Sequence, residues 1–268
     1  MGKDVFERWN THFSTVVEQN VIIQGVTTPL RISQDPSSNN LGTTVWDASI
    51  VLAKFFEKNA VGRGNFSTAK LHHRHCLELG AGTGLAGIAL ALYGANVTFT
   101  DIQSVIPLLK KNVEDNILKS TAASAAGQSN IVGSVDIKEL DWFNEATYTQ
   151  FKPPYDYIIA ADCVYGEAAV QPFLRTVLQM ANKKTVVLIA NEMRCQTVHS
   201  MFMDKFSEFF IVKKLPVSQL HSEYQHPMIH IYQCKLKRES IYSKRGGRKG
   251  EGGGEGESDD KDKEEAVR

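Results

Sequence analysis

Residues 74–101, RHCLELGAGTGLAGIALALYGANVTFTD, constrain this chain more than any other stretch. A short apolar run of Cys76, Leu77 and Leu79 enters a turn crowded with glycine. Leu85, Ile88, Ala89 and Leu92 follow at spacings of three and four, the period of a helix with one buried face. Gly94 stops that helix, because glycine takes positive φ at no steric cost. Val97 and Phe99 then alternate with polar neighbours, and Asp101 closes the unit. The pattern predicts strand, turn, helix and second strand, the nucleotide-binding half of a doubly wound α/β sheet.

The glycines have a physical reason. A cofactor lying across the strand's carboxyl end touches backbone, and a Cβ there would hold it off. Unpaired N–H groups at the helix start can bind its acceptors. Asp101, at the tip of the second strand, can accept from both ribose hydroxyls. Gly82-Thr83-Gly84-Leu85-Ala86-Gly87 satisfies the G-x-G-x-x-G of nicotinamide dinucleotide sites, so the glycines alone do not choose the nucleotide. Glu78 points to a choice: an acid two residues before Gly80 would repel a diphosphate and suit a cofactor bearing a sulfonium and an ammonium. Glu78-x-Gly80-x-Gly82-x-Gly84 resembles motif I of the S-adenosylmethionine methyltransferases.

The 268 residues, 42% hydrophobic, are enough for one large core. Formal net charge is zero, so no overall field draws the chain to nucleic acid or a membrane. No apolar run is long enough to span a bilayer, and MGKDVFERWN has no secretory apolar core. Cys76, Cys163, Cys195 and Cys234 lie far apart and fit reduced thiols, which makes a cytoplasmic, or also nuclear, location the expectation. His72, His73 and His75 precede a buried strand without a carboxylate or thiolate at ligand spacing, so no metal role is expected.

Taken in order, residues 1–40 form an amino-terminal extension. Val21, Ile23, Leu30 and Ile32 suggest a hairpin turning around Thr27-Thr28-Pro29, there for packing more than for chemistry. Residues 41–238 form the main domain. A helix is expected over 43–60, capped by Thr43 or Thr44, with Trp46 off its apolar stripe. Residues 62–70 read as a polar linker, 105–119 as an amphipathic helix and 120–130 as a Ser/Ala/Gly-rich loop. A third strand over 135–140 leads into Asp141-Trp142, which places Trp142 at the cofactor side. Strands are expected at 155–161, 185–191, 211–217 and 228–237, and helices at 167–181 and 197–210. That makes about seven strands, ordered 3-2-1-4-5 through the first five, with no room for the separate substrate domain of a nicotinamide enzyme. Residues 239–268, rich in glycine and charge, read as a disordered tail.

The fourth strand runs into Asp162-Cys163-Val164-Tyr165. This resembles the D-x-x-Y motif of the seven-β-strand protein-lysine methyltransferases, as do Val45-Trp46-Asp47-Ala48, residues 77–84 and Ile229-His230-Ile231-Tyr232. The resemblance covers roughly residues 15–237 and is strongest to the branch acting on valosin-containing protein, an AAA ATPase; other members act on chaperones and elongation factors. It implies that Trp46, Gly80, Ala81, Gly82, Asp101, Trp142 and Ala161 contact S-adenosylmethionine, and that Asp162 and Tyr165 face the substrate lysine. Glu78 joins the cofactor group on the argument above. The implied partner is a lysine-containing protein, a chaperone or an AAA ATPase. Glu192 and Arg194 resemble a polar pair that follows the fifth strand in relatives, and Asn191 departs from an aromatic there.

Two rival readings stand beside this one. A methyltransferase of nucleic acid or a small molecule is disfavoured by the zero net charge. Lys152-Pro153-Pro154-Tyr155 looks like an amino-group nucleic-acid motif but precedes the fourth strand instead of following it. A non-catalytic binding module is disfavoured by Glu78, Asp101 and Asp162 together. Cys163 has no histidine within the motif to activate it and reads as a buried thiol.

Overall fold

In this computed structural model residues 13–23, 25–124 and 132–238 are described. The described residues open with a two-stranded antiparallel hairpin, β1 (Val16–Ile23) and β2 (Val26–Ser33). Ile23 pairs with Val26, so the hairpin does not turn at 27–29; Thr27, Thr28 and Pro29 lie inside β2. Pro29 is tolerated because a two-stranded ribbon is all edge. Alternation turns Val17, Val21, Leu30 and Ile32 inward.

Helix α1 (Asp47–Ala60) begins three residues later than Thr44. Thr43 instead belongs to a short 3-10 turn, its hydroxyl donating to the carbonyls of Asp35 and Asn40. The helix is buried on nearly every side, including Lys54 and Glu57, which form an ion pair of 2.8 Å. Lys54 also donates to the Asn20 carbonyl on β1, so the hairpin covers the face that a lone amphipathic helix would leave wet. The expected linker carries a buried anchor, Phe66, against Phe55 and Phe56, and a single helical turn, α2 (Thr68–Leu71).

The main sheet holds β3 (His75–Leu79), β4 (Asn96–Asp101), β5 (Val135–Glu139), β6 (Tyr157–Ala161), β7 (Val186–Glu192), β8 (Phe210–Lys214) and β9 (Ile229–Leu236). Their order is β5-β4-β3-β6-β7-β9-β8. The first five are parallel, and β9 runs antiparallel to both neighbours. Helices α3 (Leu85–Leu92) and α4 (Ile106–Ser124) join α1 and the hairpin on one face; α5 (Glu167–Met180) and α6 (Gln196–Phe209) cover the other. Alternation sorts the side chains: Cys76 and Ile159 enter the first core, Leu77, Leu79 and Ile158 the second. Helix α4 continues to Ser124, into the expected loop, as Ala122 and Ala123 favour helix; the rest of that loop and the expected tail lie outside the described residues. No described helix is long and apolar enough to cross a membrane.

The order matters for the site. The chain steps outward from β3 to β5 and then returns to β6 on the other side of β3. At that reversal the crossovers leave on opposite faces, and a crevice opens at the strands' carboxyl ends. Lys152 to Tyr155 enters β6 from the opposite end.

Candidate active site

A cleft of about 1020 Å³ occupies that crevice. Trp46, Gly80, Ala81, Gly82, Asp101, Trp142, Ala161, Asp162 and Tyr165 line it; of the ten residues singled out from sequence, only Glu78 does not.

The glycine turn forms the floor. Gly80, Gly82 and Gly84 take φ of 58°, 55° and 85°, values that an L side chain resists. At Gly82 a Cβ would also lie 3.0 Å from the Gly42 carbonyl oxygen, because the 3-10 turn over 41–43 rests on this loop. The Gly82 N–H donates to Asp101 Oδ2 at 2.8 Å and the Ile102 N–H to Oδ1 at 2.8 Å. Each oxygen keeps a lone pair for a hydroxyl. Burial raises the Asp101 pKa, and the two N–H bonds oppose that rise.

Glu78 corrects the sequence argument. It shares a face of β3 with Cys76, beneath α3, and not the strand tip that faces the cleft. Oε1 accepts from the Gly87 N–H at 3.2 Å, and Oε2 is buried without a partner. Burial, with the Asp101 charge adding to it, pushes the carboxyl up to about 8 against the Gly87 bond. At neutral pH it is mostly protonated, so it is not the fixed anion that was to select the cofactor. Gly87 is needed for this packing: its Cβ would stand 2.1 Å from Glu78 Oε2 and 2.5 Å from Phe99. The third glycine of the G-x-G-x-x-G pattern thus serves the helix–sheet contact.

The argument against a diphosphate passes to the cleft itself. Asp101, Asp141 and Asp162 line it, and Arg194 is its one described cation. Trp142 stands against Gly80, whose Cβ would meet its ring at 3.2 Å, and packs edge-on to Phe173 at 5.0 Å. Its Nε1 is buried without a partner. Trp46 caps α1 and donates from Nε1 to the Leu41 carbonyl at 2.9 Å. An orphaned donor, an acid with spare lone pairs, two indoles and a glycine floor fit S-adenosylmethionine.

Asp162 follows β6 with φ 60°, a left-handed conformation that Asp tolerates better than most residues. It is already engaged by a cation of its own chain. Arg194 Nη1 and Nη2 donate to Oδ1 and Oδ2 at 2.9 and 2.6 Å, and the Glu192 N–H donates to Oδ1 at 3.2 Å. Nη2 also reaches Glu192 Oε2 at 2.5 Å, and the guanidinium lies 5.0 Å from the Trp46 ring centre. Burial works against the Arg194 charge, but the hydrogen bonds and charges of Asp162 and Glu192 prevail and raise its pKa. Asn191 explains itself as well: its amide donates to the Val164 carbonyl at 3.0 Å and accepts from the Val164 N–H at 3.3 Å. It clamps the backbone between Asp162 and Tyr165. Sequence reasoning left both without a role; the polar run after an apolar strand, Asn191-Glu192-Met193-Arg194, was the available signal.

Tyr165 is 58% exposed at the cleft mouth. Burial of its remainder, then the charges of Cys163 and Asp101, raise its hydroxyl pKa. Cys163 turns inward, donating to the Leu79 carbonyl at 3.1 Å, and burial first, then nearby acids, raise its thiol well above the ordinary value. It is a buried thiol and no nucleophile.

Comparison with known proteins bears on this geometry. A solved 16S rRNA N2 G1207 methyltransferase from T. thermophilus, in complex with AdoMet and guanosine, superposes with a TM-score of 0.52 over 84% of this chain and 51% of its own, at 16% identity. That likeness shows the fold. The protein N-lysine methyltransferase METTL21A of Danio rerio is 33% identical over 76% of this chain and 82% of its own length. METTL21A of Xenopus tropicalis is 29% identical over 78% and 84%. EEF1A lysine methyltransferase 3 of Xenopus tropicalis is 28% identical over 68% and 73%. A family model described as lysine methyltransferase matches residues 26–209, from β2 to the end of α6, and so takes in every residue that lines the cleft. The chain belongs to the lysine methyltransferase family.

Proposed function

We propose that this lysine methyltransferase modifies the ε-amine of a lysine in a protein substrate, with S-adenosylmethionine held in the cleft at the ends of β3, β4 and β6. The observation that carries the reading is the meeting of the glycine turn, Asp101 and the Asp162–Tyr165 segment in one cavity. Trp46, Gly80, Ala81, Gly82, Asp101, Trp142 and Ala161 would hold the cofactor. When bound, it supplies a sulfonium methyl open to attack by a neutral amine.

Asp162 and Tyr165 would orient that amine. A free lysine has pKa about 10.4, so presenting it neutral at pH 7 costs about 4–5 kcal/mol. A carboxylate alone would deepen that cost by attracting the ammonium, whereas desolvation works the other way. Asp162 therefore serves as a hydrogen-bond acceptor that aligns the nitrogen, and the released proton passes to water. Alignment and exclusion of bulk water supply most of the rate.

Relatives named as N-lysine and EEF1A lysine methyltransferases support a protein target. The sequence resemblance supports a chaperone or an AAA ATPase, and the scattered cysteines, three of them buried, support work in the cytoplasm or nucleus. The test is labelled S-adenosylmethionine with cell extract. A discrete labelled protein band is expected, whereas label in RNA or small molecules would transfer the reading to another substrate class. Asp162→Ala is expected to lower labelling by about a hundredfold or more, with cofactor affinity by calorimetry nearly unchanged. A comparable loss of cofactor binding would move Asp162 out of the substrate's path.

A further inference from the structure

The acid expected to face the substrate amine is already clasped by a cation of its own chain. Arg194 grips both oxygens of Asp162 and one of Glu192. The two acids are nearly sealed from solvent, their side chains 2% and 8% exposed. Two carboxylates and one guanidinium leave a net charge of minus one at this wall of the cleft. We infer that Arg194 is a positioning residue: it fixes Asp162 as an acceptor while cancelling part of the acids' charge, so that the cleft aligns a lysine nitrogen without holding it as ammonium. This rests on the reading of Asp162 as the group that meets the amine.

The surroundings fit that role. The titratable groups that line the cleft with this clasp are Asp101, Asp141, Cys163 and Tyr165, and His230 stands on β9 opposite Asn191. The cleft offers no second described cation to replace Arg194. The guanidinium also lies over Trp46 at 5.0 Å, so one side chain links the substrate acid to an indole in the cofactor wall. A bidentate guanidinium fork holds a carboxylate in one orientation, which an ammonium cannot do.

Opposite shifts follow from changing either charge. Arg194→Met leaves two neighbouring carboxylates uncompensated. They bind an ammonium more tightly and keep it protonated. At pH 7.5 labelling should fall about tenfold and recover toward pH 9.5, with the profile displaced to higher pH by about one unit. Glu192→Gln removes one negative charge and should displace the profile the other way. Arg194→Lys keeps the charge balance without the fork, so its rate should fall with its profile in place.

The experiment pairs two readouts. One is the pH profile of the labelled protein band from pH 6.5 to 10. The other needs no turnover: calorimetric titration of n-butylammonium into protein saturated with S-adenosylhomocysteine at pH 7.5. Affinity should rise about tenfold in Arg194→Met and fall in Glu192→Gln. If wild type labels no band, the substrate reading fails, and the titration still decides the role of Arg194. If Arg194→Met does not fold, the Glu192→Gln and Arg194→Lys profiles decide it. Profiles parallel to wild type, with butylammonium affinity unchanged, would overturn the inference and leave the clasp a structural tie.

Discussion

Glu78 carries a free energy that depends on pH. Its carboxyl titrates at about 8 in the folded protein, against an ordinary 4.5. Between those values the folded protein keeps a proton that the unfolded chain has released. The stability from this group is fully present below about 4.5 and is lost as pH rises through about 8, on the order of 5 kcal/mol over the window. Glu78→Gln removes the titration and preserves the shape. Thermal unfolding of the free protein at pH 5, 7 and 9 should show the variant gaining on wild type at each step; parallel curves would mean that burial does not shift the carboxyl. That this acid precedes the glycine turn was plain from sequence. Its direction was not, because alternation assigns Glu78 to the Cys76 face without saying what covers that face. Gly87 supplied the cover, and a glycine leaves no pattern that distinguishes a helix pressed on a strand from a phosphate on a backbone. Asp101 was legible because the tip of the second strand fixes its position whatever else packs nearby.

Between elements, the hairpin is stitched to α4 by two amides. Asn116 accepts from the Arg31 N–H at 2.9 Å and donates to the Arg31 carbonyl at 3.0 Å. One turn earlier on α4, Asn112 does the same for Ser33, at 2.8 and 3.0 Å. The i, i+4 spacing of a helix thus matches the i, i+2 spacing of a strand, and two side chains stand in for a missing neighbouring strand. Asn112 also donates to the Thr83 carbonyl at 3.0 Å, which ties β2 to the cofactor turn. Asn112→Ala strands two backbone groups of β2 and one of the turn in a buried place. A loss of about 2–4 kcal/mol is expected from urea unfolding, together with weaker S-adenosylmethionine binding. A loss below about 0.5 kcal/mol would mean that water replaces the amide. The helix itself was readable from Leu109, Val113 and Ile117. Asn112 and Asn116 were not, since a polar pair at helical spacing carries no mark of its partner.

At the scale of the whole molecule, the amino-terminal hairpin is structural, and removing it tests how far the core extends. Val17, Val21, Leu30 and Ile32 are each 6% exposed or less and share one apolar core with α1 and α3. Burying such side chains stabilises a fold by about 1.5–3 kcal/mol each, so the four contribute on the order of 6–12 kcal/mol. An ordinary domain holds only about 5–15 kcal/mol in all. The Lys54–Glu57 pair would in addition lose the Asn20 carbonyl that covers it. Past the hairpin, Gln34 accepts from the Val45 N–H at 2.6 Å, so β2 also sets where the chain re-enters α1 and where Trp46 stands. A protein that starts at residue 35 is therefore expected to lose cooperative thermal unfolding, and with it cofactor binding, although no hairpin residue lines the cleft. Were the shortened protein to melt cooperatively and bind S-adenosylmethionine as the full chain does, the hairpin would be an appendage, and the seven-stranded sheet with its helices would suffice to hold the site.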